Sequence, residues 1–374
     1  MPAFELIVPS IRGVQAGREY YVSMFPLRHV PQILRFHDDE LKPELRAQRM
    51  LNKQRVPEIA RYIVDNPTAY TFSSLTASID GTVQFEPFGD DDATRNIGRL
   101  RIPMDARILI NDGQHRRAAI ESALEENPDI GDETISVVLF LDVGLKRCQQ
   151  MFADLNRFPV RPTTSLSILY DHRDEAAQLA KAVVCGVPFF AELTETERCS
   201  MSNRSTRLFT LSGIHHATQS LLSGLDLPSF DEKLRVAAEF WIEVGKYVTD
   251  WELARRRKVT TADLRRDYVH AHTLALAALA RAGNELLINH AGAWKAKLKK
   301  LATLDWSRSN SRLWEGRAMN TGRLSKRSVN VTLTGNLIKQ HLGLTLSPDE
   351  QELENQFRRS SNGRTANRKQ QKKD

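Results

Sequence analysis

No stretch of this 374-residue sequence approaches the roughly 18 consecutive apolar residues that a membrane-spanning helix needs, so no membrane role is expected. The opening residues, MPAFELIVPS, lack the charged, apolar and small-residue succession of a secretory leader, and a soluble, cytoplasmic protein is expected. Cysteine is scarce. Cys148, Cys185 and Cys199 are odd in number and have no C-x-x-C spacing. Such a set supports no disulfide framework, no zinc site and no iron–sulfur cluster, and no metal ligands are singled out. There is no internal repeat, and no glycine-rich P-loop with its lysine. Helix-turn-helix, zinc-finger and basic-zipper signatures are also missing. Clustered carboxylates are too few to mark a two-metal centre.

What is present is ordinary for a globular chain: 41% hydrophobic and 26% charged residues, enough for two domains. The net charge of +7 is unevenly placed. Between Asn355 and Asp374 stand seven basic residues and a single acid, a charge of +6, which leaves about +1 for the rest. A block of like charge is commonly a solvated, disordered tail, and such tails often bind polyanions.

The first half alternates strand and helix signals. Runs at 4–9, 19–25, 70–79, 82–85, 98–102, 107–111 and 135–141 are rich in β-branched or aromatic residues. Helical patterns lie between them at about 40–52, 57–65 and 113–126. After Gly144 the strand signals fade. A helix ending near Leu155 is followed by a capping box at Ser229 and Glu232, and by a helix from Thr260 to Ala282. Further helices are expected at 285–301, 332–341 and 348–358. The fold class is therefore α/β (α+β). Residues 1–143 form a mixed domain, 144–354 a mainly helical domain, and 355–374 a disordered basic tail.

The segment RILINDGQHRRAAIESAL, 107–124, carries the densest chemistry. A buried-looking strand runs through the turn signal Asn111-Asp112-Gly113 into a helix. Asp112 suits a helix cap, Gly113 permits close backbone approach, and a helix start attracts anions. Ala119, Ile120, Ala123 and Leu124 define the buried stripe, with Arg116 at its centre and His115 and Arg117 on its flanks. An inward arginine at a helix start needs an anion, either an internal carboxylate or a ligand phosphate. Asp112, His115 and Arg116 are the candidate catalytic residues. Gly113, Gln114 and Arg117 are candidates for binding nucleotide or phosphate.

Two other segments are candidates to join them. Asn52, Lys53 and Arg55 precede the helix at Pro57, and Asp154, Asn156, Arg157 and Arg161 follow the helix ending near Leu155. Thr163, Thr164 and Ser165 offer hydroxyl caps or ligand contacts, and each of these groups also has a plain reading as a cap or surface charge. Candidate DNA contacts are the run Arg255, Arg256, Arg257 and Lys258, with Arg358, Arg359, Arg368 and Lys369 in the tail. Lys295, Lys297, Lys299 and Lys300 form another basic run. His270 and His272 are read as helical and pointing in different directions, poor joint metal ligands, with at least one a satisfied core histidine.

Asp112-Gly113-Gln114-His115-Arg116 matches the motif of the DGQHR-domain family, and longer segments match its DndB branch. NRFPVRPTTSLSILYDHRD (156–174), NRSTRLFTLSGIHHAT (203–218), DYVHAHTLALAALARAGNELL (267–287) and WEGRAMNTGRLSKRSVNVTLT (314–334) all resemble DndB, the DNA sulfur (phosphorothioate) modification family. The likeness runs from roughly residue 40 to residue 355. It implies a ParB/sulfiredoxin-like fold in which a strand, a glycine and a basic helix bind nucleotide phosphates. Sulfiredoxins carry a reactive cysteine where Gln114 stands, so sulfinic-acid reduction is not expected.

The resemblance also implies a DNA-binding regulator of a phosphorothioation gene cluster. Its partners would be double-stranded promoter DNA and other proteins of the modification system, and it would act alone or as a homo-oligomer. An alternative is a DNA-stimulated nucleotide triphosphatase, or a nickase, using ATP or another nucleotide with Mg2+. There Arg116 and Arg117 would hold phosphates, Asp112 or Asp154 a metal, and His115 a proton.

Overall fold

The computed structural model describes residues 5–34, 55–141, 150–151, 154–155, 162–202 and 204–370, with 360–370 by backbone alone. The helix expected over 40–52 lies outside them. The chain divides into two compact units, Met1–Val160 and Arg161–Asp374.

The first unit is built on seven strands: β1 (Glu5–Gln15), β2 (Arg18–Pro26), β3 (Leu75–Asp80), β4 (Gln84–Pro87), β5 (Ile97–Pro103), β6 (Arg107–Asp112) and β7 (Thr134–Leu141). They form one sheet in the order β4-β5-β1-β2-β7-β3-β6. All its pairings are antiparallel except β3 with β7. Alternation explains the strands. In β2, Tyr21, Ser23 and Phe25 are buried while Met24 between them is exposed. Every β-rich run in the sequence corresponds to one of these strands. The run at 70–79 becomes a strand only from Leu75; just ahead of it Ser74 is bonded side chain to side chain with Ser136 (2.6 Å).

Helices α1 (Val30–Ile33), α2 (Arg55–Asp65) and α3 (Gln114–Glu126) complete the unit. Ala60 and Ile63 of α2 and Ala119, Ile120 and Ala123 of α3 enter one core with Ile79, Ile110, Val137 and Leu139 of the sheet. Each of the isoleucine, valine and leucine side chains among them contributes about 1.5–3 kcal/mol on burial, and the alanines let the helices approach closely. This core fixes α3 against the sheet and with it the turn that precedes the helix.

The second unit is mainly helical. Its longer helices are α4 (Thr164–Tyr170), α5 (Glu175–Gly186), α6 (Pro188–Leu193), α7 (Leu211–Leu222), α8 (Phe230–Tyr247), α9 (Asp250–Arg255) and α10 (Thr261–Asp267). They continue with α11 (Thr273–Asn289), α12 (Trp294–Leu298), α13 (Ser311–Trp314), α14 (Ser328–Leu342) and α15 (Pro348–Gln370). Two small strand pairs accompany them: β8 (Thr194–Glu195) with β9 (Phe209–Thr210), and β10 (Met319–Asn320) with β11 (Arg323–Leu324). Trp241, Trp251, Trp314, Phe190, Phe209 and Phe240 are buried at the centre. Ser229 caps α8 by accepting from the Glu232 N–H (3.2 Å), as the sequence pattern predicts.

The structure corrects two helix expectations. The helix from Thr260 to Ala282 is broken at Tyr268–His272. Tertiary partners take the backbone there: Val269 N–H donates to Trp306 O (2.9 Å) and Arg308 N–H to Asp267 O (2.8 Å), while Tyr268 bridges Ser307. His270 and His272 therefore sit in this break and not on a long helix. The helix expected over 285–301 is also interrupted, with α11 ending at Asn289 and α12 starting at Trp294 after a turn.

Candidate anion site at the strand–turn–helix

The turn that links β6 to α3 has the shape the sequence foretells but a different cap. Gly113 is the residue ahead of the helix, with φ 101° in the left-handed region. A Cβ at this position would overlap the Leu75 side chain, so glycine is demanded by the protein's own packing. Asp112 makes no capping bond. Its carboxylate instead accepts from Arg116 Nη2 (2.6 Å), one turn along the helix. An arginine that must find a partner as it enters the protein outcompetes the helix N–H groups for that acid.

Arg116 does turn inward, and its fork is filled from within. Besides Asp112, Nη1 donates to Ser73 O (2.5 Å), to the Ser73 hydroxyl and to Ser74 O (3.1 Å). Arg117 is held as firmly. Its guanidinium donates to Pro31 O (2.7 Å) and Leu34 O (3.1 Å) and pairs with Glu121. The two arginines thus tie the start of α3 to the loop before β3 and to α1. Gln114 is buried among them.

His115 is half-buried on the other flank. Burial pushes its pKa down, the charge of Arg55 at the start of α2 pushes it further, and Asp112 opposes them. The imidazole is thereby kept neutral at neutral pH. Arg55, exposed, is thus brought beside His115 and Asp112 by the packing of α2 on α3. Below them, Asn111 Nδ2 donates to Ser78 Oγ (2.6 Å) and reaches Met151 Sδ (3.2 Å). Its Oδ1 is buried and has no partner among the described residues.

The remaining candidates divide. Asn52, Lys53, Asn156, Arg157 and Arg161 lie outside the described residues. Asp154 is exposed and accepts from Gln150 (2.8 Å). Thr163 to Ser165 belong to the second unit, where the Thr163 hydroxyl caps α4 through Leu166 N–H (3.1 Å). Arg255 pairs with Glu252 (2.6 Å) and Glu192 (2.9 Å), and Arg256 with Glu252 (2.6 Å). The Glu252 carboxyl falls to about 2 under these two guanidiniums. Arg257 and Lys258 close the end of α9, with Arg257 at φ 57°. Arg358 and Arg359 are exposed on α15, while Arg368 and Lys369 are described by backbone alone. In the other basic run, Lys295 pairs with Glu239 and lies over Trp294 (5.3 Å). His270 is fully buried, its Nε2 bonded to Asp250 (2.9 Å) and its Nδ1 without a partner among the described residues, so it is a core histidine that is only half satisfied. Among the described residues no three His, Cys, Asp or Glu side chains are grouped as metal ligands.

Nothing in the sequence pattern points to Ser73 and Ser74, whose partner Arg116 is more than forty residues away. Cys199 is likewise unmarked by any motif. Burial pushes that thiol up, but bonds from Ser165 N–H and from the hydroxyls of Ser165, Ser212 and Thr164 outweigh it and bring the pKa down to about 7.

A family model described as DndB, DNA-sulfur modification-associated, matches residues 8–345. Neither the curated proteins nor the solved structures yield a match.

Proposed function

Because the chain belongs to the DndB family of DNA-sulfur modification-associated proteins, we propose that it is a DNA-binding regulatory component of a DNA sulfur modification system. In this reading it acts on the promoter of its own gene cluster. The observation that carries it is the family match across 8–345, which covers most of each unit. The internal bonding of Arg116 and Arg117 speaks against their holding the phosphates of a hydrolysed nucleotide. The DGQHR element then serves first to lock α3, and the exposed Arg55 beside His115 is left facing outward for an anion. Arg358 and Arg359, exposed on α15, add positive charge in the second unit. Double-stranded DNA is the partner, with other proteins of the modification system as further ones.

A second reading, a DNA-stimulated nucleotide triphosphatase, is favoured by one observation: His115 is held neutral beside Arg55. A neutral imidazole next to a fixed cation can accept a proton near a bound phosphate. ATP or CTP with Mg2+ would be the ligand.

One titration separates the two. The purified protein is titrated with its own promoter duplex and an unrelated duplex, with and without ATP or CTP, while phosphate release is followed. Tighter binding to the promoter without phosphate release supports the regulator. Phosphate release that rises with DNA and disappears in His115→Ala supports the enzyme. No binding to either duplex removes the first reading.

A further inference from the structure

The hairpin β10–β11 and the chain leading from it into α14 carry cations that no site above uses. The hairpin turns at Thr321 and Gly322, at φ 50° and 75°. Glu315 accepts from both turn N–H groups, at 3.1 Å for Gly322. Asn330 anchors the following segment, accepting from the Ser325 hydroxyl (2.7 Å) and donating to Arg317 O (2.5 Å). The platform is thus fixed by its own polar contacts.

Arg308 reaches behind the turn, donating to Arg266 O (2.9 Å), Arg265 O (3.3 Å) and Gly322 O (3.0 Å). Its three hydrogen-bond partners are neutral carbonyls, and the neighbouring acid, Asp267, feels its charge but is hydrogen-bonded to Arg266. Arg323, Lys326 and Arg327 are exposed around it. Among the described residues, none of these four cations forms an ion pair with a carboxylate, whereas Arg255 and Arg256 both do. The nearby acids make their hydrogen bonds elsewhere. Asp263 and Asp267 pair with Arg266, Asp305 accepts from Ser307 N–H and Asn310, and Glu315 holds the turn.

His272 reports the resulting field. Burial pushes its pKa down to about 4, against the bond to the Arg265 carbonyl, and the charges of Arg308, Lys326 and Arg265 add to the fall. Together with the Arg308–Gly322 bond, this places cations of three separate segments, Arg265, Arg308 and Lys326, close to one another.

We propose that Arg308, Arg323, Lys326 and Arg327 form a contact surface for the phosphate backbone of double-stranded DNA. The proposal rests on the DNA-binding reading above and says where on the second unit the duplex lies. Guanidinium forks match phosphate oxygens, and contacts of this kind position a duplex without reading its sequence. Residues 320–330 contain no aromatic side chain, so this segment offers no platform for stacking single-stranded bases.

The test uses the full chain carrying Arg323→Gln, Lys326→Gln and Arg327→Gln together, with Lys326→Gln alone as a milder variant. Affinity for a short duplex is measured by fluorescence anisotropy across a salt series. The slope of log affinity against log salt is expected to fall by about 0.9 for each phosphate no longer neutralised, about 2.7 for the triple variant. The weakening should be equal on promoter and unrelated duplexes, with the unfolding midpoint unchanged. An unchanged slope, while Arg358→Gln with Arg359→Gln lowers it, overturns this surface and leaves the DNA reading standing. A wild-type protein that binds no duplex overturns both. Loss of binding to phosphatidylserine vesicles with DNA affinity retained assigns the surface to membranes and overturns the proposal.

Discussion

Arg117 holds its guanidinium between Glu121 of its own helix and the carbonyls of Pro31 and Leu34, and its side chain is only 14% exposed. Truncating it leaves those carbonyls without a donor, so Arg117→Ala is expected to cost about 1–3 kcal/mol in urea unfolding. Arg116→Ala removes the donor to Asp112, Ser73 and Ser74 and is expected to cost a similar amount. The same protein should be tested for nucleotide affinity. If that affinity vanishes while stability is unchanged, Arg116 serves a ligand and the architectural role assigned to it is wrong. Gly113→Ala meets both the Leu75 side chain and a left-handed backbone, and a loss of at least about 1 kcal/mol is expected. Cys199 belongs to the same scale. Its alkylation, followed by peptide mass spectrometry, should reach half its limiting rate near pH 7, and Ser165→Ala should move that midpoint upward. A midpoint indifferent to Ser165 would show that the hydroxyl cradle does not tune the thiol.

Among the elements, α15 is fastened by charge as well as by apolar contact. Arg317 forms a bidentate pair with Glu354, which is 0% exposed, and also lies over Phe357 (4.5 Å). Lys339 of α14 makes a second buried pair with Glu350 (2.9 Å). Replacing such pairs by apolar side chains can be neutral, but removing one partner strands a buried charge. Glu354→Ala is therefore expected to destabilise the second unit by about 3–5 kcal/mol, measured by thermal or urea unfolding. A loss below about 1 kcal/mol would mean that Arg317 finds another acceptor or reaches water when α15 lets go.

At the scale of the whole molecule, charge distribution governs both binding and acid sensitivity. The region from Asn355 to Asp374 holds +6 of the net +7, so deleting 359–374 should weaken duplex binding and flatten its salt dependence. An unchanged slope would take the terminal region out of the DNA contact. The sign of the acid response follows from His272. Its pKa is about 4 when folded, against 6.5 for an unperturbed histidine, so between these values the unfolded chain binds more protons. The stability from keeping this imidazole neutral is full above pH 6.5 and is lost as pH falls through that window. His215, lowered first by burial, acts in the same direction. Unfolding midpoints measured from pH 7 to pH 4 should therefore fall, and His272→Gln should make the fall shallower. An equal fall in the variant would assign the acid response to other groups.

The β-branched and aromatic runs of the first half by themselves marked all seven strands, because such side chains fit a pleated, packed surface; the central strand β3, buried at five successive residues, shows no alternation to read. The glycine turn and the inward aim of Arg116 were legible for the same local reason: both follow from the helical period and from the φ that only glycine adopts easily. The Ser229 cap of α8 is a matter of residues three apart, and it too was readable, although the reciprocal Glu232 bond of a full capping box is not formed among the described residues. What the tertiary structure alone decided were partners distant in sequence. Asp112 was claimed by Arg116 and not by the helix N–H groups, and the anion that Arg116 needed came from within. The break at Tyr268–His272 was set by Trp306, Ser307 and Arg308, and the run at Arg255 and Arg256 was neutralised by Glu252 and Glu192. The cations at Arg308 and Lys326 were gathered around His272 from opposite ends of the same packing. A sequence specifies periodicity through neighbours on the chain. Which charge meets which partner depends on distances that exist only once the elements within each unit are packed.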